Sequence, residues 1–565
     1  MDTGASPKGV RDSAPPLVVV GWDAACWDLL TPWVEARKLP HLKKLMERGC
    51  SGPMQSTALP LSPTAWSSIL TGQNPGKHGV FDWFARRDGS YKVEYVHTGQ
   101  IQAKPMWEYI NQAGKRVGIF NVPMLYPAVP VDGFMLSGLA APDASSTNFA
   151  YPPDLIAELE HAVGPYWHTE TEVYQRGRER EYLDNMLDLL AYQRRVLSYL
   201  IEEHPCDIYL FVFMQSDHAQ HKFWRTLEPE HPDYDPATDA QFGDLILTVY
   251  QQMDQVLGEL VEKIGPDANF ILLSDHGGGP VHGIMYINRW LQKIGMLHLR
   301  SDWITRLKLW LAKTNLIGRT YRLAAKLGLG HVANLVSKSA RNKVLNAFLS
   351  LDDIDWSRTK AYSRGAFGQI YINLKGREPE GIVEPGEAYQ AVVAELIAAL
   401  KALKHPQTGE TLITDIHRKS ELYQGPYLDQ AADVMFSIQN YLYQSSVKMG
   451  LDQDNFLGKS EYEDSGSHRP EGILVMAGPG IQTGETITGA QVTDVLPTLL
   501  ALAGIPVPSD LDGKPLLQVF TSDQREKVCF LHEASKEIQE NITTDLDVDE
   551  IRLLEKRLQD LGYLG

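Results

Sequence analysis

The chain has 565 residues, 43% hydrophobic and 22% charged, which is long enough for a large α/β core with insertions and too long for one simple core. Lys and Arg number 53 against 71 Asp and Glu, a formal charge of −18, and this excludes a general nucleic-acid-binding surface, although a nucleotide remains admissible as a substrate. The four cysteines, Cys26, Cys50, Cys206 and Cys529, form no CxxC motif or paired framework, so a disulfide scaffold and a thiolate zinc site are both excluded.

Residues 1–16 are polar and rich in Pro, Gly and Ser, and read as a disordered lead-in without the apolar stretch of a signal peptide; the expected location is cytoplasmic. Leu17-Val-Val-Val-Gly21 is a short β-branched run, the pattern of a strand buried on both faces, so Asp23 opens the loop at its carboxyl end. Leu61-Ser62-Pro-Thr64-Ala-Trp-Ser-Ser-Ile-Leu-Thr71-Gly72 follows, and then Asn74-Pro-Gly-Lys77-His78-Gly79. Residues 141–177 are polar and aromatic, a loop or small insertion near the site, in which Tyr151, Tyr166, Trp167 and Tyr174 offer either a stacking surface or a satellite cluster. Residues 178–204 read as one long helix. It feeds the apolar run Ile208–Phe213, which delivers Asp217 and His221; in a helix, residues four apart share one face. Phe270-Ile-Leu-Leu273 delivers Asp275 and His276, and the glycines at 277–279 allow a sharp turn beside a ligand.

Residues 287–352 break the charge trend, with twelve Lys or Arg against the single acid Asp302 before Leu351, in a segment of helical periodicity such as Trp303–Leu311. This basic insertion is expected as a cap or lid that attracts an anionic substrate; a solvated hairpin packed on the core is the plain alternative, and contact with an anionic lipid surface a third. Ala361–Asn373 alternates as a strand does and restarts the core. Gly466-Ser-His468 precedes a further apolar run, Ile473–Met476, and residues 550–561 read as a terminal helix. The expected organisation is therefore residues 1–16 as lead-in, 17–286 and 353–535 as two parts of a catalytic core, 287–352 as the helical insertion and 536–565 as a helical tail. No apolar run is long enough to span a bilayer, and no repeat is present.

The candidate ligands are oxygen and imidazole donors: Asp23, Asp217, His221, Asp275, His276 and His468, with the hydroxyl of Ser62 among them. Such donors suit Zn²⁺ or Mn²⁺. Two divalent ions ~4 Å apart can hold the attacking and leaving oxygens of a phosphate ester, and coordination activates a serine hydroxyl that does not ionise unaided near neutrality. His78 and His282 read first as turn and surface residues, and Lys77 as solvated; all three are weak candidates for substrate contact.

In this order the motifs resemble the alkaline phosphatase superfamily, and within it the type I phosphodiesterase and nucleotide pyrophosphatase branch, over about residues 17–520, including Asp494-Val-Leu-Pro-Thr-Leu-Leu500 and Asp512-Gly-Lys-Pro-Leu516. The resemblance implies a three-layer α/β/α sandwich around a mostly parallel sheet and two zinc ions, with manganese as the alternative. Its nucleophile stands nine residues before the Thr-Gly pair, which is Ser62, with Thr64 as fallback. By the same resemblance, Asp23, Ser62, Asp275 and His276 surround one metal and Asp217, His221 and His468 the other. The implied activity is cleavage of phosphodiester or nucleotide pyrophosphate bonds through a phosphoserine; a phosphomonoesterase or phosphomutase is the alternative, and a binding protein that has lost catalysis would be expected to lack ligands. Two departures matter. The asparagine that meets the phosphoryl oxygen in this branch is replaced by Trp83, and the Pro and Arg that follow a sulfatase nucleophile are Thr64 and Trp66, which disfavours sulfate esters.

Overall fold

A computed structural model of the chain describes residues 15–87, 89–139, 141–142, 146, 148–306, 308, 351–365, 367–446, 448–449, 455–460, 463–532, 550–551 and 553–554. The apolar run at the start forms the strand Leu17–Trp22, which takes a central place in a nine-stranded sheet. From one edge to the other the strands are Ala490–Gln491, Gly49–Gln55, Glu471–Ala477, Asn269–Leu273, Leu17–Trp22, Ile208–Phe213, Val117–Val122, Gly133–Ser137 and Ala150–Tyr151. Leu17–Trp22 pairs in parallel with Ile208–Phe213 and with Asn269–Leu273, so the loops carrying Asp23, Asp217 and Asp275 leave the same edge of three neighbouring strands. Ligand sites of open α/β sheets form beyond that edge. Glu471–Ala477 runs antiparallel to both of its neighbours.

Alternation within the buried strands separates two cores. Leu17 and Val19 face a cluster that holds Trp66, Ile69 and Leu70 of the helix Ser62–Thr71; Val18, Val20 and Trp22 face another, with Leu183 and Met186 of Glu179–Glu203 and Val249 and Met253 of Leu245–Ile264. The result is helix, sheet, helix in three layers, as expected from the sequence. The long helix expected over 178–204 is Glu179–Glu203.

One expectation needs adjustment. Ala361–Asn373 is not one strand of the core; Ala361–Tyr362 and Gly368–Ile372 pair antiparallel in a separate four-stranded sheet completed by Val434–Ile438 and Ile413–Arg418. Gly365 takes φ +122°, a conformation that breaks an extended run at that point. Aromatics of the 141–177 segment form a satellite cluster: Tyr166 meets Phe149 and Tyr192, and Tyr174 meets Tyr182 and Phe223. The lid expected over 287–352 falls largely on residues 309–350, which lie outside the described residues, as does most of the helix expected over 550–561. Of its flanks, Lys308 forms an ion pair with Asp353 at 2.8 Å, and Trp303 is 73% exposed. Among the described residues no helix is long and apolar enough to cross a membrane.

Candidate metal centre

Each ligand candidate is presented by local backbone that its neighbours in sequence demand. Leu61 precedes the helix Ser62–Thr71, whose first turn takes Pro63, a residue that costs no hydrogen bond there. Gly72, at φ +64°, ends that helix in the left-handed conformation. Asp217 lies in the first turn of Gln215–Phe223 and His221 one turn later, on one face. His468 is not in a loop; it sits in the short strand Gly466–Arg469, which pairs antiparallel with Gly277–Pro280 directly after His276. The pair needs glycine where it begins, because a Cβ on Gly277 would come 2.0 Å from the backbone carbonyl oxygen of Glu471.

All seven candidates are buried and they converge. Asp23, Asp275 and His276 bring ligand atoms within 4.8 Å of one another, and so do Asp217, His221 and His468. His276 Nε2 is 3.6 Å from Asp23 Oδ1, 3.3 Å from Asp275 Oδ2 and 3.2 Å from Ser62 Oγ. In the second group, Asp217 Oδ1 is 3.3 Å from His221 Nε2 and 3.4 Å from His468 Nε2, and the two imidazole nitrogens are 3.0 Å apart. Donors ~2.1 Å from a shared tetrahedral ion stand roughly 3.4 Å apart, so both groups have ligand-cage dimensions. The rings of His276 and His468 stack at 3.8 Å, which makes the two groups neighbours.

Polar partners behind the donors set their orientation. His468 Nδ1 donates to the carbonyl of Pro60 at 2.6 Å and His276 Nδ1 to that of Gly277 at 3.0 Å; a carbonyl only accepts, so in both rings the Nε2 lone pair faces the cage. Trp66 Nε1 donates to Asp23 Oδ2 at 2.9 Å, while Asp23 Oδ1 and Asp275 Oδ2, the cage-facing oxygens, meet no hydrogen-bond donor among the described residues. Buried carboxylates are costly without a partner. Burial, then the carboxylates of Asp275 and Asp217, push Asp23 well above the usual carboxylate range; burial and Asp217 push Asp275 up to about 8. Burial would raise Asp217 too, but His221 and His468 outweigh it and hold it well below the ordinary value. Burial and then His468 keep His276 neutral, the form that offers a lone pair. A crowd of buried carboxyls in need of positive charge, set among imidazole nitrogens, is a donor set that fits divalent cations.

The other sequence candidates lie elsewhere. Thr64, the fallback nucleophile, is two positions from Ser62 in the same helix, hence turned to another side of it, and is buried. Lys77 is paired with Asp512 at 2.5 Å, and His78 Nε2 lies 2.9 Å from Ser68 Oγ, in the core. His282 packs against His231, ring centroids 5.4 Å apart. Sequence reasoning missed three contributors: Trp66, the Pro60 carbonyl, and Asp464, whose Oδ2 is 3.9 Å from His221 Nδ1 while Lys222 grips its Oδ1 at 2.6 Å.

Residues 17–470 match the sequence profile described as type I phosphodiesterase / nucleotide pyrophosphatase. The fold is similar to that of phosphonoacetate hydrolase from Sinorhizobium meliloti 1021 solved with phosphonoacetate, at TM-score 0.51 and 15% identity over 85% of this chain and 94% of that one. Murine ectonucleotide pyrophosphatase / phosphodiesterase 5 aligns at TM-score 0.49 and 13% identity over 90% of this chain and all of that one. Among curated proteins, arylsulfatase K of Homo sapiens is 36% identical over 88 residues, 15% of this chain, and the match spans only 16% of that relative.

Proposed function

The chain belongs to the type I phosphodiesterase / nucleotide pyrophosphatase family of the alkaline phosphatase superfamily, a phosphoester hydrolase by that membership, and from this premise we propose a two-metal reaction with Ser62 as nucleophile. Asp23, Ser62, Asp275 and His276 would hold one ion and Asp217, His221 and His468 the other, zinc being the first choice for such donors and manganese the second. When bound, the ions would lower the cost of ionising the serine and of gathering charge on the phosphoryl group.

What carries this reading is the place of Ser62: buried, in a helix's first turn, with Oγ 3.2 Å from a neutral imidazole of one triad that stacks on an imidazole of the other. Ser62 Oγ gives up its proton to solvent and forms a bond to phosphorus, the bond from phosphorus to the ester oxygen breaks, and the departing oxygen takes a proton from solvent. Water then attacks phosphorus, the bond from phosphorus to Oγ breaks, the phosphate product leaves, and Oγ regains a proton. The helix holds Oγ where it cannot drift, and its positive N-terminal end favours negative charge developing there. A sulfatase reaction finds no support at this helix, because Trp66 occupies the position of the needed arginine and is bonded to Asp23.

The test is turnover of an aryl phosphodiester, an aryl phosphate monoester and a nucleotide pyrophosphate by protein loaded with zinc or manganese. Diester or pyrophosphate turnover that is lost in Ser62→Ala with both ions retained supports the proposal. Preference for the monoester would move the enzyme to phosphomonoesterase, and full activity in the variant would reassign the nucleophile.

A further inference from the structure

The cages account for the reacting atoms, and the position at which the branch carries a phosphoryl-contacting asparagine holds Trp83, which is buried. Ser363 to Gly365, and Phe367, lie between the metal site and the Asp82-Trp83 segment. At one end Ser363 is clasped by Asn288, its N–H donating to Oδ1 at 2.8 Å and its carbonyl accepting from Nδ2 at 2.9 Å. Asn288 lies in the helix Ile287–Lys293, a short way beyond the Asp275-His276 motif. Gly365 comes next and rests on the Asp82-Trp83 segment; a Cβ there would be 2.6 Å from Asp82 Oδ2. Asp82 is itself held, accepting from Trp83 N at 2.6 Å and Gln369 Nε2 at 2.8 Å. At the far end the Phe367 ring is 5.7 Å from the ring of the ligand His468.

Arg364 precedes Gly365. It is only 9% exposed, its guanidinium lies over the Tyr371 ring at 4.9 Å and bonds the Tyr371 side chain, and its charge is felt by Asp82, although among the described residues no carboxylate comes within ion-pair distance of it. An arginine that is withdrawn from water is ordinarily paired. Its planar fork matches phosphate oxygens two at a time, and a flanking ring holds the plane in place. We propose that Arg364, held between Ser363 and Gly365, grips the non-bridging oxygens of the substrate's phosphoryl group, supplying the contact that Trp83 does not. The inference rests on the phosphate-ester reading above and assigns it a recognition residue.

Inorganic phosphate is the probe. Its binding to the zinc-loaded full chain is measured by calorimetry, and its inhibition of aryl phosphodiester turnover in parallel. Arg364→Gln, which keeps the stack on Tyr371, should weaken phosphate about 10- to 100-fold, the range expected for a hydrogen-bonded charge, with two ions still bound and the melting temperature unchanged. Arg364→Lys should recover part of the loss, which a purely structural role would not. Phosphate affinity within twofold of wild type in Arg364→Gln overturns the proposal, as does failure of the loaded wild type to bind phosphate. If Arg364→Gln does not fold, Arg364→Lys decides: a loss of about 3- to 10-fold is expected, and none overturns it. Phosphate binding without ester turnover would instead count against the hydrolase reading and leave Arg364 judged by calorimetry alone.

Discussion

Trp66→Phe isolates one hydrogen bond that ties the nucleophile's helix to a metal ligand. Trp66 is four residues after Ser62, on the same face of the helix, and its Nε1 donates to Asp23 Oδ2 at 2.9 Å. The ring is seated where a Cβ on Gly21 would lie 2.5 Å away, so its position is set by the first strand. Phenylalanine keeps most of the buried ring and removes the donor, leaving Oδ2 of a wholly buried carboxylate with nothing to accept from. A hydrogen bond to a charged group contributes about 1.5–3 kcal/mol, which is roughly 10- to 150-fold in affinity. That loss should fall on the ion held with Asp23, Asp275 and His276 and spare the one held by Asp217, His221 and His468. Competition of each site against a graded series of chelators, read by metal analysis, separates the two. Equal weakening at both sites, or none at either, would refute the reasoning.

Four further outcomes follow from the same geometry. Ser62→Ala should lose at least about a thousandfold in diester turnover with both ions retained, while Thr64→Ala, off the reacting face, should stay within a few fold; matched kinetics and metal analysis check both. In chelator-treated protein the raised carboxyls of Asp23 and Asp275 keep protons in the folded state that the unfolded chain releases near pH 4, so stability is present at low pH and is lost as pH rises toward 8. The loss is at most about 1.4 kcal/mol per pH unit for each retained proton, and melting curves of loaded and stripped protein from pH 5 to 8 should therefore diverge; parallel curves would contradict it. Lys222→Met strands Asp464 in the core and should cost about 3–5 kcal/mol in urea unfolding, where a change under 1 kcal/mol would show the pair to be dispensable. Lys77→Ala, which only opens a partly exposed pair with Asp512, should cost no more than about 1 kcal/mol and leave KM unchanged, whereas a raised KM would restore Lys77 as a substrate contact.

The parallel core was legible because each of its strands is a continuous apolar run that stops where a ligand candidate begins, as at Leu17–Trp22 before Asp23 and Asn269–Leu273 before Asp275. Asp217 and His221 could be paired from spacing alone, since a helix makes that spacing a face. His468 was found as a candidate, but its strand was not, because four residues interrupted by glycine carry no periodic pattern and form only against Gly277–Pro280, nearly two hundred positions away. Trp66, Pro60 and Asp464 escaped for the same reason: each acts on a group that is close in space and distant in the chain, through an atom whose direction no local rule determines. The alternation of Ala361–Asn373 was real, but it did not reveal the break at Gly365, which rests against Asp82 in the segment that holds Trp83.

The central claim is that two buried triads each hold a cation. Anomalous diffraction from zinc-loaded crystals tests it directly. Two peaks ~4 Å apart, one bounded by Asp23, Asp275, His276 and Ser62 and the other by Asp217, His221 and His468, are the expected result. A single peak, or peaks outside these side chains, would contradict it.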